Sequence, residues 1–204
     1  MNRNRTRKPA AVAMGIVAVL GCSAVWAAHQ EKSAPKTEQK AEPPAAQTPA
    51  ARPGAAEMER LKFYLGEWDY TETYGKTPFL PNGGTGAGMY TSKLGPGGNS
   101  LVNTFHSHGA MGESEGLLIL TWSPKENAYR AYAFGNDFPG ALEETGQFEG
   151  DALVFRGEFS AGGAKMALRN STRVVAPGKI ESDEYISING APETPLVKVE
   201  AKKK

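Results

Sequence analysis

The stretch that decides the fold runs from residue 165 to residue 188 and reads KMALRNSTRVVAPGKIESDEYISI. Apolar and polar side chains alternate along both halves, and Pro177-Gly178 between them is a typical turn sequence. Alternation with a period of two is typical of a strand with one face on a core. The sequence therefore predicts an antiparallel hairpin made of strands 165–175 and 179–188.

The register of this hairpin follows from its own residues. Pairing Val174 with Ile180 also pairs Leu168 with Ile186, so the apolar side chains share one face. The same register places Arg173 opposite Glu181 on the other face, which is a favourable cross-strand pair. A slip by one residue would place isoleucines against arginines, so the register is well specified.

This register brings four polar side chains together on the otherwise apolar face. Asn170 then faces Glu184, and Thr172 faces Ser182. A buried carboxylate is costly unless it is paired or hydrogen-bonded, and amide and hydroxyl groups are suitable partners. We call these four residues the inner polar cluster and interpret them as a candidate ligand-binding patch. The alternative is a satisfied structural network, or a position near an open barrel mouth.

The rest of the domain predicts more strands of the same kind. Turn sequences rich in Gly, Pro and Asn recur at short intervals, with short runs of Val, Ile, Thr and aromatic residues between them. About ten sequential strands are enough to close an antiparallel up-and-down barrel. A short helical turn over 57–64 precedes them. The predicted strands are 66–74, 85–93, 99–108, 115–123, 128–135, 141–149, 152–159, 165–175, 179–188 and 195–201.

Several short motifs carry a family resemblance. They are LKFYLGEW at 61–68, EGLLILTWSP at 115–124 with Tyr129 after it, SING at 187–190 and LVKVE at 196–200. Together they resemble the bacterial family catalogued as domain of unknown function 1579, in the lipocalin and calycin group. The resemblance implies an all-β, lipocalin-like up-and-down barrel in which Trp68 plugs one end. It implies no established activity, and the cofactor stays unknown.

The N-terminal segment has the layout of a bacterial secretory signal. Basic residues precede the apolar run 10–21, which is too short to favour a membrane span. VLGC at 19–22 resembles a lipobox, which would make Cys22 a lipidation site, whereas VWA at 25–27 before Ala28 suits ordinary signal cleavage. The sequence thus predicts an exported protein, either periplasmic or lipid-anchored in the bacterial cell envelope.

Three segments organise the chain: a signal peptide over 1–28, a linker over 29–56 and a domain over 57–204. The linker is rich in Ala, Pro, Lys and Glu and cannot bury enough apolar surface to order itself. The domain holds 15 Lys and Arg against 19 Asp and Glu, a net charge of −4. This acidic balance argues against nucleic acid as a partner. Because Cys22 is the only cysteine, the domain has no disulfide and no thiol chemistry.

A candidate metal site is weaker. His106 and His108 alternate on one strand and share a face, with Glu113 and Glu115 across a glycine-rich turn. Two imidazoles and a carboxylate can hold zinc, although a third ligand is not specified, and the alternative is a solvent-facing pair. The glycine-rich run 83–88 lacks the residues of a phosphate-binding loop and is interpreted as a flexible connection into the second strand.

Three functions fit these observations. The favoured one is a binding module that holds a small, mostly apolar ligand, oriented by the inner polar cluster. The alternative is an envelope interaction or structural module whose barrel is filled by side chains. An enzyme that uses Glu184 as acid or base, or a metal at His106 and His108, is the third. The sequence identifies neither the ligand nor the oligomeric state.

Overall fold

The structure, a computed structural model, describes residues 53–136, 138 and 140–204. The predicted signal peptide, the candidate lipidation site Cys22 and the linker up to residue 52 lie outside the described residues. No described helix is long and apolar enough to cross a membrane.

The described chain forms a closed antiparallel barrel of ten strands, as predicted. Each strand pairs with the next along the chain, and the last pairs with the first. A short helix, α1 (Ala55–Glu59), and a 3-10 turn (Lys62–Tyr64) precede the strands where the sequence predicted one helical turn over 57–64. The strands are β1 (Gly66–Tyr74), β2 (Gly84–Leu94), β3 (Ser100–Gly109), β4 (Gly112–Ser123), β5 (Ala128–Gly135), β6 (Leu142–Glu149), β7 (Ala152–Ala161), β8 (Ala164–Ala176), β9 (Lys179–Ile188) and β10 (Thr194–Lys203).

The β8–β9 hairpin has the register that the sequence specified. Val174 pairs with Ile180, Leu168 with Ile186, and Arg173 with Glu181. The register shifts only between Val174 and Ala176, beside the turn. The Arg173 guanidinium lies 3.3 Å from the Glu181 carboxylate on the outer face.

One end of the barrel is closed by the segment that precedes β1. Met58 and Leu61, 4% and 0% exposed, pack against a buried cluster. The Tyr129 hydroxyl donates a hydrogen bond of 2.9 Å to the Glu57 carbonyl, which ties α1 to β5. We call this apolar end, which α1 closes, the floor of the barrel. The other buried members of the cluster are Leu101, Leu120, Tyr129, Ala131, Leu153 and Phe155.

Trp68 occupies the floor on the β1 side. It is 1% exposed, and its indole nitrogen donates a hydrogen bond of 2.8 Å to the Tyr64 carbonyl. Its ring stacks with Tyr90 at 5.7 Å between centroids and packs with Ile180 and Ala201. A buried indole with its N–H satisfied is a packing residue here, as the resemblance implied.

The interpretation of the glycine-rich run 83–88 as a connection is wrong. Most of that run belongs to β2, where Gly86 and Gly88 face inward opposite Glu72 and Tyr70 of β1. A Cβ on Gly88 would lie 2.6 Å from Tyr70 Cζ, and one on Gly86 would lie 2.5 Å from Glu72 Oε2. The glycines are therefore needed because larger side chains from β1 lie across them.

Candidate functional site in the barrel interior

The strand register defines which side chains line the interior. The side chains of β1 that point inward are Trp68, Tyr70, Glu72 and Tyr74. The residues paired with them on the neighbouring strands also point inward, and the same rule holds around the whole barrel. The floor is buried, and five strand connections surround the opposite end. The described residues of those connections are 75–83, 110–111, 136, 138, 140–141, 162–163 and 189–193.

Inner-wall side chains above the floor are partly exposed even though their strands are paired on both sides. Phe105, Ser182, Glu184 and Val199 all lie on the inner face and all remain accessible to water. In a barrel filled by its own side chains, such positions would be buried. Water-sized space therefore adjoins these inner-wall side chains above the floor.

Small residues line much of this wall. On β5 the inward residues that follow Tyr129 are Ala131, Ala133 and Gly135, whereas Tyr132 and Phe134 lie on the outer face. On β2, β4 and β6, inward glycines allow large neighbours to lie flat against the wall. A Cβ on Gly116 of β4, for example, would lie 2.5 Å from Phe105 Cζ.

The structure brings the inner polar cluster together. Asn170 lies opposite Glu184, and Thr172 lies opposite Ser182. The Thr172 hydroxyl donates to Asn170 Oδ1 at 3.0 Å and lies 2.7 Å from the Ser182 hydroxyl. Because Thr172 has a single proton, Ser182 then donates to Thr172.

The cluster is polarised toward Glu184. Asn170 Oδ1 is occupied by Thr172, so its amide N–H groups remain for the Glu184 carboxylate, to which Asn170 hydrogen-bonds. The Tyr64 hydroxyl hydrogen-bonds Thr172 and anchors the other end to the floor. A chain of hydrogen bonds aligned in one direction strengthens each of its members. The arrangement therefore presents one oriented carboxylate to the interior.

Two further glutamates face the same interior, and the sequence analysis missed both. Glu72 lies on β1 two residues from Tyr74, whose hydroxyl donates a hydrogen bond of 2.8 Å to it. Glu144 lies on β6 between the inward residues Leu142 and Gly146. Glu72 alternates with Trp68 and Tyr70 along β1, and this spacing in the sequence could have predicted that Glu72 faces inward. Glu143-Glu144 offers two adjacent carboxylates, and their sequence does not say which one faces inward.

Burial and mutual repulsion disfavour the charged forms of these three glutamates. Burial raises the pKa of Glu144 to about 7, with a further contribution from the negative charge of Glu184. Burial likewise raises the pKa of Glu184, against the Asn170 hydrogen bond, and the charge of Glu72 raises it further. Burial raises the pKa of Glu72 against the effects of Tyr74 and His108. The three carboxylates thus influence one another across the interior.

Tyrosine hydroxyls complete the polar part of the wall. Burial raises the pKa of Tyr64 to about 12 and raises those of Tyr70, Tyr74 and Tyr90 as well. The Tyr70 hydroxyl hydrogen-bonds Ser107 of β3. All four therefore remain neutral near pH 7 and act as hydrogen-bonding groups.

The two histidines lie outside the barrel. His106 pairs with Glu115 and His108 with Glu113 on the exposed outer face of β3 and β4. Among the described residues, no group of three His, Cys, Asp or Glu side chains is placed to hold a metal ion. His106 and His108 thus share a face, as their spacing predicted, and that face does not line the interior.

One comparison with a solved structure supports the fold, and a second structure is similar at a lower TM-score. Rv2717c from M. tuberculosis is similar with a TM-score of 0.53 at 14% identity, covering 72% of this chain and 96% of that one. The S-type phycobiliprotein lyase CPES from Guillardia theta gives a TM-score of 0.48 at 11% identity, covering 73% and 92%. No family model matches the chain, and no curated protein matches it. The chain has a lipocalin-like, calycin-type barrel fold.

Proposed function

We propose that this chain is an exported lipocalin-like barrel that holds a small, mostly apolar ligand in its interior. The observation that carries the proposal is the partial exposure of inner-wall side chains such as Phe105 and Val199 above a buried floor. Ligand sites are typically concave and mostly apolar, with a few converging polar groups. The inner polar cluster supplies those groups, and Phe105, Leu118, Met166, Val197 and Val199 supply the apolar wall.

The proposed setting is the bacterial cell envelope. The basic and apolar pattern over 1–28 supports export, and Cys22 at the end of the lipobox-like VLGC supports a lipid anchor. The resemblance to the family of domain of unknown function 1579 remains part of this proposal.

A matched pair of substitutions tests the proposal. Ala133 faces the interior, whereas Ala167 faces outward on β8, and both are partly exposed. Ala133→Phe places a ring in the interior, and Ala167→Phe places the same ring on the outer surface. The affinity of the full chain for the neutral apolar dye N-phenyl-1-naphthylamine is measured by fluorescence titration for each.

Binding to the unsubstituted chain, weakened at least about tenfold by Ala133→Phe and unchanged by Ala167→Phe, supports an interior site. Equal effects of the two substitutions, or no binding to the unsubstituted chain, would contradict it. The second result would favour an interaction module with a filled barrel.

A further inference from the structure

We propose that the ligand carries a protonated amine, which binds among Glu72, Glu144 and Glu184 inside the barrel. This inference rests on the proposed function and names the chemical class of the ligand. An apolar body would contact the rest of the wall, and the ammonium group would neutralise the carboxylates.

The register places the three carboxylates around one space. Glu184 pairs with Val197, and Val197 pairs with Tyr74, so Glu184 and Glu72 are separated by β10 alone. In the other direction, Glu184 pairs with Asn170, which pairs with Phe155, which pairs with Gly146, two residues from Glu144. The carboxylates thus approach the interior from three strands rather than from one edge.

The wall carries no cation to balance them. Along the inner faces of the ten described strands, the single basic residue is Lys203 at the floor end. Its side chain is exposed, with Nζ 5.8 Å from the Trp68 ring centroid. Carboxylates that are partly withdrawn from water and have no paired charge are costly, so an ammonium group entering the interior removes part of that cost.

A second feature of the inner wall, at the level of the floor residue Trp68, points to a hydrogen-bond donor. Ser92 and Asn103 are 2% and 6% exposed, pair directly with each other and face inward from β2 and β3. Neither Ser92 Oγ nor Asn103 Oδ1 has a hydrogen-bond partner. Because an amide oxygen only accepts, Asn103 lacks a donor such as an N–H group. Buried polar atoms without hydrogen-bond partners are destabilising, and a donor on the ligand would relieve this cost.

Other titratable groups near the carboxylates leave the charge balance negative. Tyr70, Tyr74 and Tyr90 face the same space and remain neutral near pH 7. His108 lies on the outer face and acts on Glu72 only through its charge. Since the pKa of Glu144 is about 7, the interior gains negative charge as the pH rises from 5 to 8.

Thiol labelling with reagents of opposite charge tests the inference. In the full chain with Cys22→Ser, the substitution Val197→Cys places one thiol on the inner wall between Glu184 and Tyr74. Thr104→Cys is the outer-face control, because Thr104 is exposed and flanked by Thr91 and Leu117. The rates of cationic aminoethyl and anionic sulfonatoethyl methanethiosulfonate are compared at pH 8 and pH 5. Thiolate content cancels in the ratio of the two rates.

The expected ratio of cationic to anionic rate at pH 8 is at least about tenfold larger for the inner thiol than for the outer one. It should fall at pH 5, and it should fall at pH 8 when Glu72, Glu144 and Glu184 are changed to Gln. The pH comparison needs no glutamate substitution, so it stands even if that variant fails to fold. Equal ratios at the two thiols would overturn the amine proposal and leave the open barrel intact. An inner thiol that reacts with neither reagent would overturn both proposals.

Discussion

Thr172 and Ser182 lie directly opposite each other on β8 and β9, and their hydroxyl oxygens are 2.7 Å apart. Thr172 also donates to Asn170 and is 4% exposed. Thr172→Val keeps the shape but leaves Ser182, Asn170 and Tyr64 without this partner. We expect the free energy of unfolding to fall by about 1–3 kcal/mol, measured by urea denaturation.

The control for this substitution is Thr104→Val, at an exposed outer-face position of β3. It should change the free energy of unfolding by no more than about 0.5 kcal/mol. Similar losses for the two variants would show that the inner hydroxyl network contributes nothing specific.

The floor should be the most sensitive part of the core. Leu61 is fully buried between the helical segment and the barrel, whereas Leu94 is 44% exposed at the end of β2. Leu61→Ala should lower the free energy of unfolding by about 2–5 kcal/mol because it leaves a cavity. Leu94→Ala should cost less than about 1 kcal/mol. If Leu61→Ala were as mild as Leu94→Ala, the helical segment would not seal the barrel.

Gly146 and Phe155 should be energetically dependent on each other. They pair across β6 and β7, and a Cβ on Gly146 would meet the Phe155 ring within 3 Å. Gly146→Ala should cost about 1–3 kcal/mol through overcrowding. In a double-mutant cycle, Gly146→Ala should lower the free energy of unfolding by at least about 0.5 kcal/mol less when Phe155→Leu is already present. Strict additivity would contradict the observed contact.

Glu144 should make stability depend on pH. Its pKa is raised from 4.5 to about 7 in the folded protein, so between these values the folded state holds a proton that the unfolded state has released. Stability must therefore fall as the pH rises through this window, by at most about 3 kcal/mol from this residue. Glu144→Gln should reduce the loss between pH 4.5 and 7.5, measured by urea denaturation at both values. Part of the loss should remain in this variant, because the pKa values of Glu72 and Glu184 are also raised in the folded protein.

Glu200→Gln serves as the comparison for this pH effect. The hydrogen bond from Lys198 lowers the pKa of Glu200, so its linkage to stability lies below pH 4.5. It should leave the loss between pH 4.5 and 7.5 unchanged. A loss unaffected by Glu144→Gln would mean that Glu144 is not buried in the folded barrel.

Alternating side chains explain why so much of the fold was predictable. In β8 and β9 each step changes face, so Leu168 and Ile186 fix the register and with it the meeting of Asn170 and Glu184. The closed end was harder to predict, because α1 starts at Ala55, within the segment interpreted as linker. Strand β2 was predicted as 85–93, but the run 83–88 was interpreted as a connection because glycines normally indicate turns. Here Gly86 and Gly88 are required by the side chains of Glu72 and Tyr70, which lie across them.

The interior acids show the limit of reasoning from the sequence. Glu184 was found because its hairpin could be registered from its own apolar residues. Glu144 was not found, since strand 142–149 alternates Leu, Glu, Gly and Phe against Glu, Thr, Gln and Glu and offers no clear core face. Which of Glu143 and Glu144 faces inward depends on pairing with β5 and β7, which is a property of the closed barrel.

Native mass spectrometry of the full chain purified from a bacterial host tests the central claim most directly. The account predicts a folded mass larger than the sequence mass and any covalent lipid allow, with the excess lost on unfolding and absent from Ala133→Phe. Ala167→Phe should keep the excess mass. A folded protein without excess mass, which also binds none of a panel of apolar amines, would contradict the claim that the barrel holds a small ligand.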